Sequence, residues 1–268
     1  MLGVIVSCIG RTSETYISSH IANLSPAGTA VCSLSPVENP AWVPEWPVLR
    51  LYHSDVWPLQ ALRRVAGAAS RESLLRIDLS RLAFWLATNR IDVVLCEYLQ
   101  VAVSVADVCR RMRIPLVAHA HGYDVAGQSR DAVWGARYRA VLPQIDAVVV
   151  VSRAMKAQVM EFGVPADRIH VIPCGTDVRA ESNAQRHGKR DVFKIVAVGR
   201  LIPKKGPIFL LEAFRRVRQA CPRAELFLVG QGPLMEAVSQ FVRATELEDC
   251  VHLLGELPNA SVPAPGRR

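Results

Sequence analysis

Short, continuous apolar runs recur along this chain of 268 residues, and they limit its possible folds more than any other feature. Each run is bounded by turn residues, and helical patterns separate most of the runs from one another. Strands rich in valine, isoleucine and leucine that alternate with helices are typical of a parallel sheet covered on both faces. The sequence therefore predicts an α/β protein. The runs are LGVIVSC, TAVCSL, DVVLCEY, IPLVAHA, DAVVVVS, IHVIPC, FKIVAVG, AELFLVG and VHLLG.

A polar stretch, RAESNAQRHGKRD at residues 179–191, separates two series of strands and helices. Polar segments of this kind mark domain boundaries. We therefore predict an N-terminal domain of residues 1–178, a linker at 179–191 and a C-terminal domain of residues 192–268. The proline- and tryptophan-rich segment from Ser35 to Pro58 predicts a long loop. Helices are predicted at Thr12–Leu24, within residues 55–89, and at Ser152–Phe162 and Gly206–Ala220.

The net charge limits the kinds of binding partner that we expect, and the cysteine content indicates the cellular compartment. The net charge of +8 is compatible with nucleic acid, an acidic membrane surface or a phosphorylated small molecule. No dense lysine and arginine run is interleaved with aromatic residues, so we expect no nucleic-acid partner. The seven cysteines include no CxxC pair, which indicates a reducing compartment without disulfides or a zinc site. The N-terminus resembles a first strand more than a signal peptide, so we expect a cytoplasmic protein.

One segment, FKIVAVGRLIPKKGPIFLLEAF, passes from a strand through a charged loop into a helix. Gly199, Arg200 and Lys205 lie in this loop, at the edge of a parallel sheet where ligands bind. The N-terminus of the following helix offers free N–H groups and a partial positive charge, and the two cations add full charges. We therefore predict a site for a phosphate or diphosphate. The alternative is that both cations are solvated loop charges.

A second segment, LFLVGQGPLMEAV, repeats the order of strand, glycine-rich turn and helix. It follows the first segment by one strand–helix unit, so both loops would lie at the same edge of the sheet. Gly230 and Gly232 would let the backbone approach a ligand closely. The segment departs from the GxGxxG fingerprint because Met235 occupies the position of the third glycine. A turn with only a structural role is the alternative.

A third segment, IPLVAHAHGYDVAG, places polar side chains directly after a strand in the N-terminal half. His119, His121, Gly122 and Asp124 could bind sugar hydroxyls, donate to an oxyanion or bind a metal. The metal interpretation is weak, because HxH without a third clear ligand is a poor metal site.

These segments together resemble the retaining glycosyltransferases of the GT-B fold, in the large family 4. The resemblance extends to about Val262 and is most specific in GRLIPKKG followed by LVGQGPL. SETYI and HGYD resemble the subset that builds bacterial exopolysaccharide and lipopolysaccharide. The other matching segments are HAHGYDV, VVVVSRAMKAQV, IHVIPCGTD, VAVGRLIPKKGPIFLLEAF and VHLLGELPNASV.

The resemblance implies two Rossmann-like domains, the N-terminal one for the acceptor and the C-terminal one for a nucleotide sugar. Arg200 and Lys205 fall on positions that hold the donor diphosphate and stabilise it as it leaves, which makes both catalytic. Gly199 belongs to the same donor site, and Gly230 and Gly232 lie near the nucleotide.

The resemblance also implies roles in the N-terminal domain. His121 falls on a catalytic histidine near the transferred sugar, and Glu14 and Asp124 lie on the acceptor side. The implied reaction transfers a sugar from a UDP- or GDP-linked donor to a saccharide or lipid-linked acceptor, with retention of anomeric configuration. It needs no cofactor and no metal, because the cations and the helix dipole stabilise the leaving diphosphate. A nicotinamide oxidoreductase is disfavoured by the absent fingerprint, whereas a sugar epimerase or phosphorylase of similar fold remains an alternative.

The end of the sequence departs from the family pattern. The family carries a later E-x7-E element that contacts the donor sugar and the ribose, and no segment of this chain matches it. We therefore expect an incomplete C-terminal domain and a truncated or frameshifted product, or a fragment, with little transferase activity. The alternative function is a non-catalytic remnant that binds a nucleoside diphosphate weakly or acts as an interaction subunit.

Residues 61–90 carry six arginines against two acidic residues, with apolar residues between them. A basic amphipathic helix of this kind would rest on an anionic leaflet, on the inner face of the cytoplasmic membrane. The alternative, which we favour, is a helix that packs its apolar face on the sheet. The apolar residues are Leu74, Leu75, Leu82, Phe84, Trp85 and Leu86.

Overall fold

A computed structural model gives the fold, and it describes residues 1–11, 14–25, 28–35, 48–51, 68–175 and 193–257. The chain forms two units, Met1–Gly175 and Thr176–Arg268. The predicted linker at 179–191 lies outside the described residues, so its boundaries stay a prediction.

The first unit is built on a seven-stranded, fully parallel sheet with the order β3-β2-β1-β4-β5-β6-β7. The apolar runs of the sequence form its strands, and the prediction of a parallel α/β fold is confirmed. Central strand residues such as Ile5, Val94 and Ala118 are fully buried, as expected for strands covered on both faces. The strands are β1 (Leu2–Val6), β2 (Thr29–Ser33), β3 (Val48–Arg50), β4 (Val93–Glu97), β5 (Leu116–Ala120), β6 (Ala147–Val150) and β7 (Ile169–Val171).

Strand β3 corrects the prediction of one long loop from Ser35 to Pro58. Val48 to Arg50 pair in parallel with Val31 to Ser33 of β2 and form the edge of the sheet. The strand has only three residues and is flanked by prolines and tryptophans, so it carries no periodic signal. Its pairing depends on the backbone of β2, which the local sequence does not report.

Six helices connect these strands within the described residues. Two start at side-chain caps: Asp131 accepts hydrogen bonds from the N–H groups of Val133 and Trp134, and Ser152 accepts one from Met155. The helices are α1 (Thr15–Asn23), α2 (Ala68–Thr88), α3 (Leu99–Met112), α4 (Gly122–Ala126), α5 (Ala132–Val141) and α6 (Arg153–Met160).

Helix α2 bears on the expectation of a membrane-binding face. Leu82, Trp85 and Leu86 are buried in the core of the unit, whereas Phe84 is 74% exposed. The apolar face of this half of α2 therefore packs inside the protein, as the alternative interpretation expected. The side chains of Leu74 and Leu75 lie outside the described part of the structure. No helix among the described residues combines the length and apolar character needed to cross a membrane.

The second unit contains a three-stranded parallel sheet with the order β10-β9-β8. Leu211 and Phe214 of one helix and Val238 and Val242 of the other pack with Leu226 of β9. The predicted helix near Gly206 begins at Pro207, where the missing N–H of proline costs no hydrogen bond. The elements are β8 (Phe193–Val198), α7 (Pro207–Ala220), β9 (Ala224–Val229), α8 (Met235–Ala244) and β10 (Val251–Gly255).

Candidate functional site

A cluster of polar side chains lies at the carboxyl ends of β4 and β5 in the first unit. Glu97 is the last residue of β4, and it is directly opposite His119 in the register of the two strands. Because paired residues of neighbouring strands point to the same side of the sheet, the two side chains meet. His121 follows β5 at the start of α4, and His20 reaches the cluster from α1.

The carboxylate of Glu97 contacts three imidazole rings. Its Oε1 lies 2.7 Å from His20 Nδ1, and its Oε2 lies 3.0 Å from His119 Nδ1 and 2.9 Å from His121 Nε2. Glu97 has no solvent exposure, and His119 and His121 are also buried. Both carboxylate oxygens are therefore occupied by imidazole nitrogens.

Burial and hydrogen bonding act in opposite directions on the pKa of Glu97. Burial alone raises it, but the hydrogen bonds from His119, His121 and His20 hold the pKa of Glu97 well below its usual range. Burial lowers the pKa of His121, and the neighbouring Glu97 only partly offsets this effect. At neutral pH the cluster thus contains an ionised carboxylate and an uncharged His121.

Two tyrosines join this cluster to Glu14. The hydroxyl of Tyr98 donates to Glu14 Oε1 at 2.7 Å, and it lies 2.7 Å from the hydroxyl of Tyr16. The rings of both tyrosines pack on His121, with centroid distances of 4.6 Å and 4.5 Å. Burial raises the pKa of both hydroxyls, so they remain protonated donors.

The backbone of Tyr98 is itself unusual. Its φ of 78° lies in the left-handed region, which a residue with a bulky side chain rarely adopts. The residue stands between β4 and α3, and its N–H donates to the carbonyl of His119 at 2.9 Å. Such backbone strain persists where the surroundings determine the conformation, and it concentrates at functional sites.

Two acceptor atoms of this region are buried without a hydrogen-bond partner in the described part of the chain: Oε2 of Glu14 and Nε2 of His119. An unpaired buried acceptor costs free energy, about 1–3 kcal/mol. A ligand that supplies hydroxyl donors would remove this cost.

Asp124 accepts hydrogen bonds from backbone N–H groups around the site. Its Oδ2 accepts from the N–H of Leu99 at 2.7 Å, and its Oδ1 accepts from those of His121 and Val125. Burial raises the pKa of Asp124 to about 7, although these backbone donors lower it in part. The side chain is fully buried, so its predicted role on the acceptor side would be indirect, through the positions of His121 and α3.

His20, Glu97 and His119 also form a set that could hold a metal ion, since their ligand atoms lie within 4.8 Å of one another. Two histidines and a glutamate are a known zinc-binding set. The nitrogen–oxygen distances of 2.7 Å and 3.0 Å are those of direct hydrogen bonds. Tetrahedral zinc would need the ligands further apart, because each bond to the ion is about 2.0–2.1 Å long.

Sequence reasoning did not identify four members of this cluster: Glu97, His20, Tyr16 and Tyr98. Glu97 ends the apolar run DVVLC. An acidic residue at the end of a buried strand indicates a paired, functional carboxylate, because charged residues are rarely buried without a partner. His20 lies on the buried side of α1 together with Ile17 and Ile21. Without the pairing of β4 with β5, no sequence pattern joins these residues.

The second unit brings the two glycine-containing loops together, as the sequence predicted. Val229 of β9 pairs with Val198 of β8 and with Gly255 of β10, so the strands end side by side. The N–H of Gly199 donates to the carbonyl of Val229, and the N–H of Leu201 donates to that of Gln231, both at 2.9 Å.

Gly230 and Gly232 allow close packing of these two loops. A Cβ atom on Gly230 would lie 2.0 Å from the carbonyl oxygen of Gly199, and one on Gly232 would lie 2.4 Å from that of Leu201. Both glycines therefore face protein backbone, which is a sufficient reason for their presence. A Cβ on Gly199, in contrast, would meet open space.

Arg200 and Lys205 lie beside the N-terminus of α7 and are exposed. Neither side chain has a hydrogen-bond or ion-pair partner in the part of the chain that the structure describes. The first turn of α7 contains no acidic residue, and Gly206 precedes it with a φ of 61°. Cationic side chains and free N–H groups thus share one end of this helix.

Two family profiles together match most of the chain. The profile of Glycosyltransferase Family 4 matches residues 14–180, and that of Glycosyl transferases group 1 matches residues 179–264.

Curated relatives are similar over part of their length. The protein named as the colanic acid biosynthesis glycosyltransferase WcaL of Escherichia coli K12 is 23% identical over 216 residues, which are 80% of this chain and 52% of the relative. The amylovoran biosynthesis glycosyltransferase AmsK of Erwinia amylovora is 26% identical over 142 residues, 53% of this chain and 35% of the relative. The chain thus spans about a third to a half of the length of these relatives.

Solved structures share the fold. HepE of Anabaena in complex with UDP superposes with a TM-score of 0.70 and 18% identity, over 96% of this chain and 70% of that one. The apo form of the lipopolysaccharide outer core galactosyltransferase WaaB superposes with a TM-score of 0.60 and 16% identity, over 96% of this chain and 68% of that one.

Proposed function

The chain belongs to glycosyltransferase family 4, and from this membership we propose that it transfers a sugar from a UDP- or GDP-linked donor to a saccharide or lipid-linked acceptor in the biosynthesis of a cell-surface polysaccharide. Relatives named for colanic acid and amylovoran biosynthesis support the process. The Anabaena neighbour was solved with UDP-glucose, and a Mycolicibacterium relative is named as GDP-mannose-dependent. The proposal therefore includes both UDP-linked and GDP-linked donors.

The observation that carries the proposal is the pair of unpartnered cations at the start of α7. Among the described residues the side chains of Arg200 and Lys205 have no acidic partner, and the free N–H groups of α7 lie at the same end of the helix. When the anomeric bond of the donor breaks, negative charge grows on the departing diphosphate. Fixed cations stabilise this charge more in the transition state than in the ground state, which lowers the barrier.

The cluster of the first unit fits an acceptor rich in hydroxyl groups. Glu14 Oε2 and His119 Nε2 are buried acceptors without donors in the described residues, and a sugar hydroxyl is a donor. The rings of Tyr16 and Tyr98 pack on His121, and the hydroxyl of Tyr98 donates to Glu14 beside these acceptors. We propose that Glu14 accepts a hydrogen bond from an acceptor hydroxyl. We also propose that Asp124 acts indirectly, by holding the backbone of His121 and of the start of α3.

His121 is proposed to act beside the transferred sugar, and the reaction is proposed to retain the anomeric configuration. Retention requires that the acceptor hydroxyl attacks the face that the diphosphate leaves. No cofactor and no metal take part in this proposal, because the cations of the α7 loop supply the positive charge. We also propose a cytoplasmic location, which is supported by free thiols on all seven cysteines, each of which lies in the described residues.

The test is transfer from radiolabelled UDP- and GDP-linked sugars to saccharide and lipid-linked acceptors, with the anomeric configuration of the product read by NMR. Arg200→Ala and Lys205→Ala should each weaken binding of UDP or GDP about 10- to 100-fold, because a charge-assisted hydrogen bond contributes about 1.5–3 kcal/mol. The same variants should lose transfer.

Both substituted residues are exposed, so the thermal unfolding midpoint should not change. Arg216→Ala removes an exposed arginine further along α7 and serves as the charge-matched control. Unchanged nucleotide affinity in both variants would contradict the diphosphate assignment. An inverted product would contradict retention while leaving the donor site intact.

A further inference from the structure

We infer that Glu97 is the positioning residue of the acceptor-side cluster: as an anion it fixes the tautomers of His20, His119 and His121, and so decides which nitrogen of His121 carries the lone pair. This inference rests on the proposed function only in giving His121 a substrate to face. The arrangement of protons itself follows from the geometry around Glu97.

The first step is the chemistry of the carboxylate. An ionised carboxylate only accepts hydrogen bonds, and both oxygens of Glu97 contact imidazole nitrogens at 2.7–3.0 Å. Each of these nitrogens must therefore carry a hydrogen. His20 and His119 are protonated on Nδ1, and His121 is protonated on Nε2.

The second step concerns the charge of the cluster. In the described part of the chain, the side-chain hydrogen-bond partners of Glu97 are these three imidazoles. No lysine or arginine competes for its oxygens there, so the carboxylate is free to orient all three rings. Other ionisable groups of the described residues also face the cluster. Glu14, Tyr16 and Tyr98 are linked to one another by hydrogen bonds, Arg11 pairs with Glu14, and Asp124 and Cys174 lie within electrostatic range.

The third step gives the consequence for His121. The ring is buried and its pKa is lowered, so it is neutral near pH 7. With Nε2–H donated to Glu97, its Nδ1 is the lone-pair nitrogen and can only accept. Without Glu97 the Nε2–H group would lose its acceptor, and only the capping contact of the His121 side chain with the backbone of Asp124 would still favour Nδ1 as the acceptor.

The fourth step explains the unpartnered atom of His119. In the neutral form of His119, with Nδ1–H directed to Glu97, the lone pair is on Nε2, and this atom is buried without a partner in the described residues. Because Glu97 binds Nδ1–H, it is the reason that the free energy cost of an unpaired Nε2 arises. Glu97 thus determines two acceptor nitrogens, one on His119 and one on His121.

The experiment is long-range ¹H–¹⁵N correlation NMR on the whole chain labelled with ¹⁵N-histidine, at about pH 7.5, where a free imidazole is neutral. We expect Nδ1–H tautomers for His20 and His119 and an Nε2–H tautomer for His121. The result for His20 and His119 is discriminating, because free neutral histidine prefers Nε2–H. This measurement needs neither substrate nor turnover, so it is independent of the proposed function.

Glu97→Gln is the decisive variant. A neutral amide presents one acceptor oxygen and one donor nitrogen, so at least one ring must change its tautomer. Glu225→Gln is the matched control, since Glu225 also lies near a histidine, His252 at 3.5 Å, but in the second unit and partly exposed. His20→Asn removes one partly exposed ring and should leave the tautomer of His121 unchanged.

Kinetics then connect the tautomers to catalysis. The transfer activity that the chain retains should fall at least tenfold in Glu97→Gln with an altered pH profile, while affinity for UDP or GDP stays unchanged. Wild-type protein with Nε2–H on His20 and His119 would overturn the inference, as would unchanged tautomers in Glu97→Gln. Loss of the expected imidazole signals on adding Zn²⁺, with their return on adding EDTA, would overturn it in favour of a metal site.

Discussion

Glu97 carries a negative charge without solvent exposure, and this makes the first unit sensitive to acid. Its pKa is lower in the folded chain than in the unfolded chain, where it is about 4.3. The stabilisation is therefore complete above about pH 4.3 and is lost as the pH falls through the lower, folded value. His121 acts in the same direction from a higher pH, because its lowered pKa means that unfolding takes up a proton below about pH 6.5.

Glu97→Gln should lower the free energy of unfolding by about 2–3 kcal/mol at neutral pH, since three imidazoles lose their anionic acceptor. The difference from wild type should persist down to about pH 5 and shrink below about pH 4.3, where the unfolded wild-type chain takes up a proton at Glu97. Denaturant titrations at several pH values measure this. Glu225→Gln should change stability by less than about 0.5 kcal/mol. A penalty independent of pH below this range would show that packing, not charge, explains it.

At the scale of residues, the sequence predicts side chains that follow a strand within one segment. Glu14, His119 and His121 do lie in one cluster, and Arg200 and Lys205 lie at one helix start. Glu97 and His20 could not be placed there, because their contacts join residues 77 positions apart in the chain. Such contacts depend on strand order, which no local pattern encodes.

The two loops of the second unit show how an element constrains its residues. Gly230→Ala and Gly232→Ala should each destabilise the chain by about 1–3 kcal/mol, because a Cβ atom would collide with backbone that cannot rotate away. Gly199→Ala should change stability by less than about 0.5 kcal/mol, since its Cβ meets open space and its φ is not positive. It should nevertheless weaken UDP or GDP binding if the nucleotide approaches this position.

Thermal unfolding and calorimetry on the three glycine variants separate these effects. Gly175→Ala, another position where a Cβ meets open space, is the control in the first unit. Full stability in Gly230→Ala would contradict the backbone packing described above. Full nucleotide affinity in Gly199→Ala would remove Gly199 from the donor site.

Elements with strong patterns were predicted well, and those without them were not. Helix α7 begins within one residue of the predicted Gly206, because glycine, proline and the apolar period agree there. Strand β3 was missed, since three residues between prolines and tryptophans have no period. The sequence thus reveals elements that carry their own signal, whereas an edge strand takes its structure from its neighbour.

At the scale of the whole molecule, the net charge of +8 leads to a prediction about membranes. The chain should bind anionic vesicles more strongly than neutral ones at low salt, and about 0.5 M NaCl should abolish the difference by screening. Phe84→Ser should not reduce this binding, because Leu82, Trp85 and Leu86 on the same half of α2 are buried, so the described half of this helix has no continuous apolar face to insert. Vesicle sedimentation measures this, and equal retention on neutral vesicles would contradict it.

The hydrogen bonding of the two glycine-containing loops through main-chain atoms has a consequence for how such a protein diversifies. The hydrogen bonds from Gly199, Leu201 and Leu234 to the opposite loop or strand end use N–H and C=O groups, which every non-proline residue supplies. Gly230 and Gly232 are fixed by shape, whereas the exposed positions next to them can mutate without altering the spacing of the loops. A saturation library at Gln231 and Pro233 should therefore contain many folded variants. Selection from this library for a changed donor preference should leave the packing of the two loops unaltered.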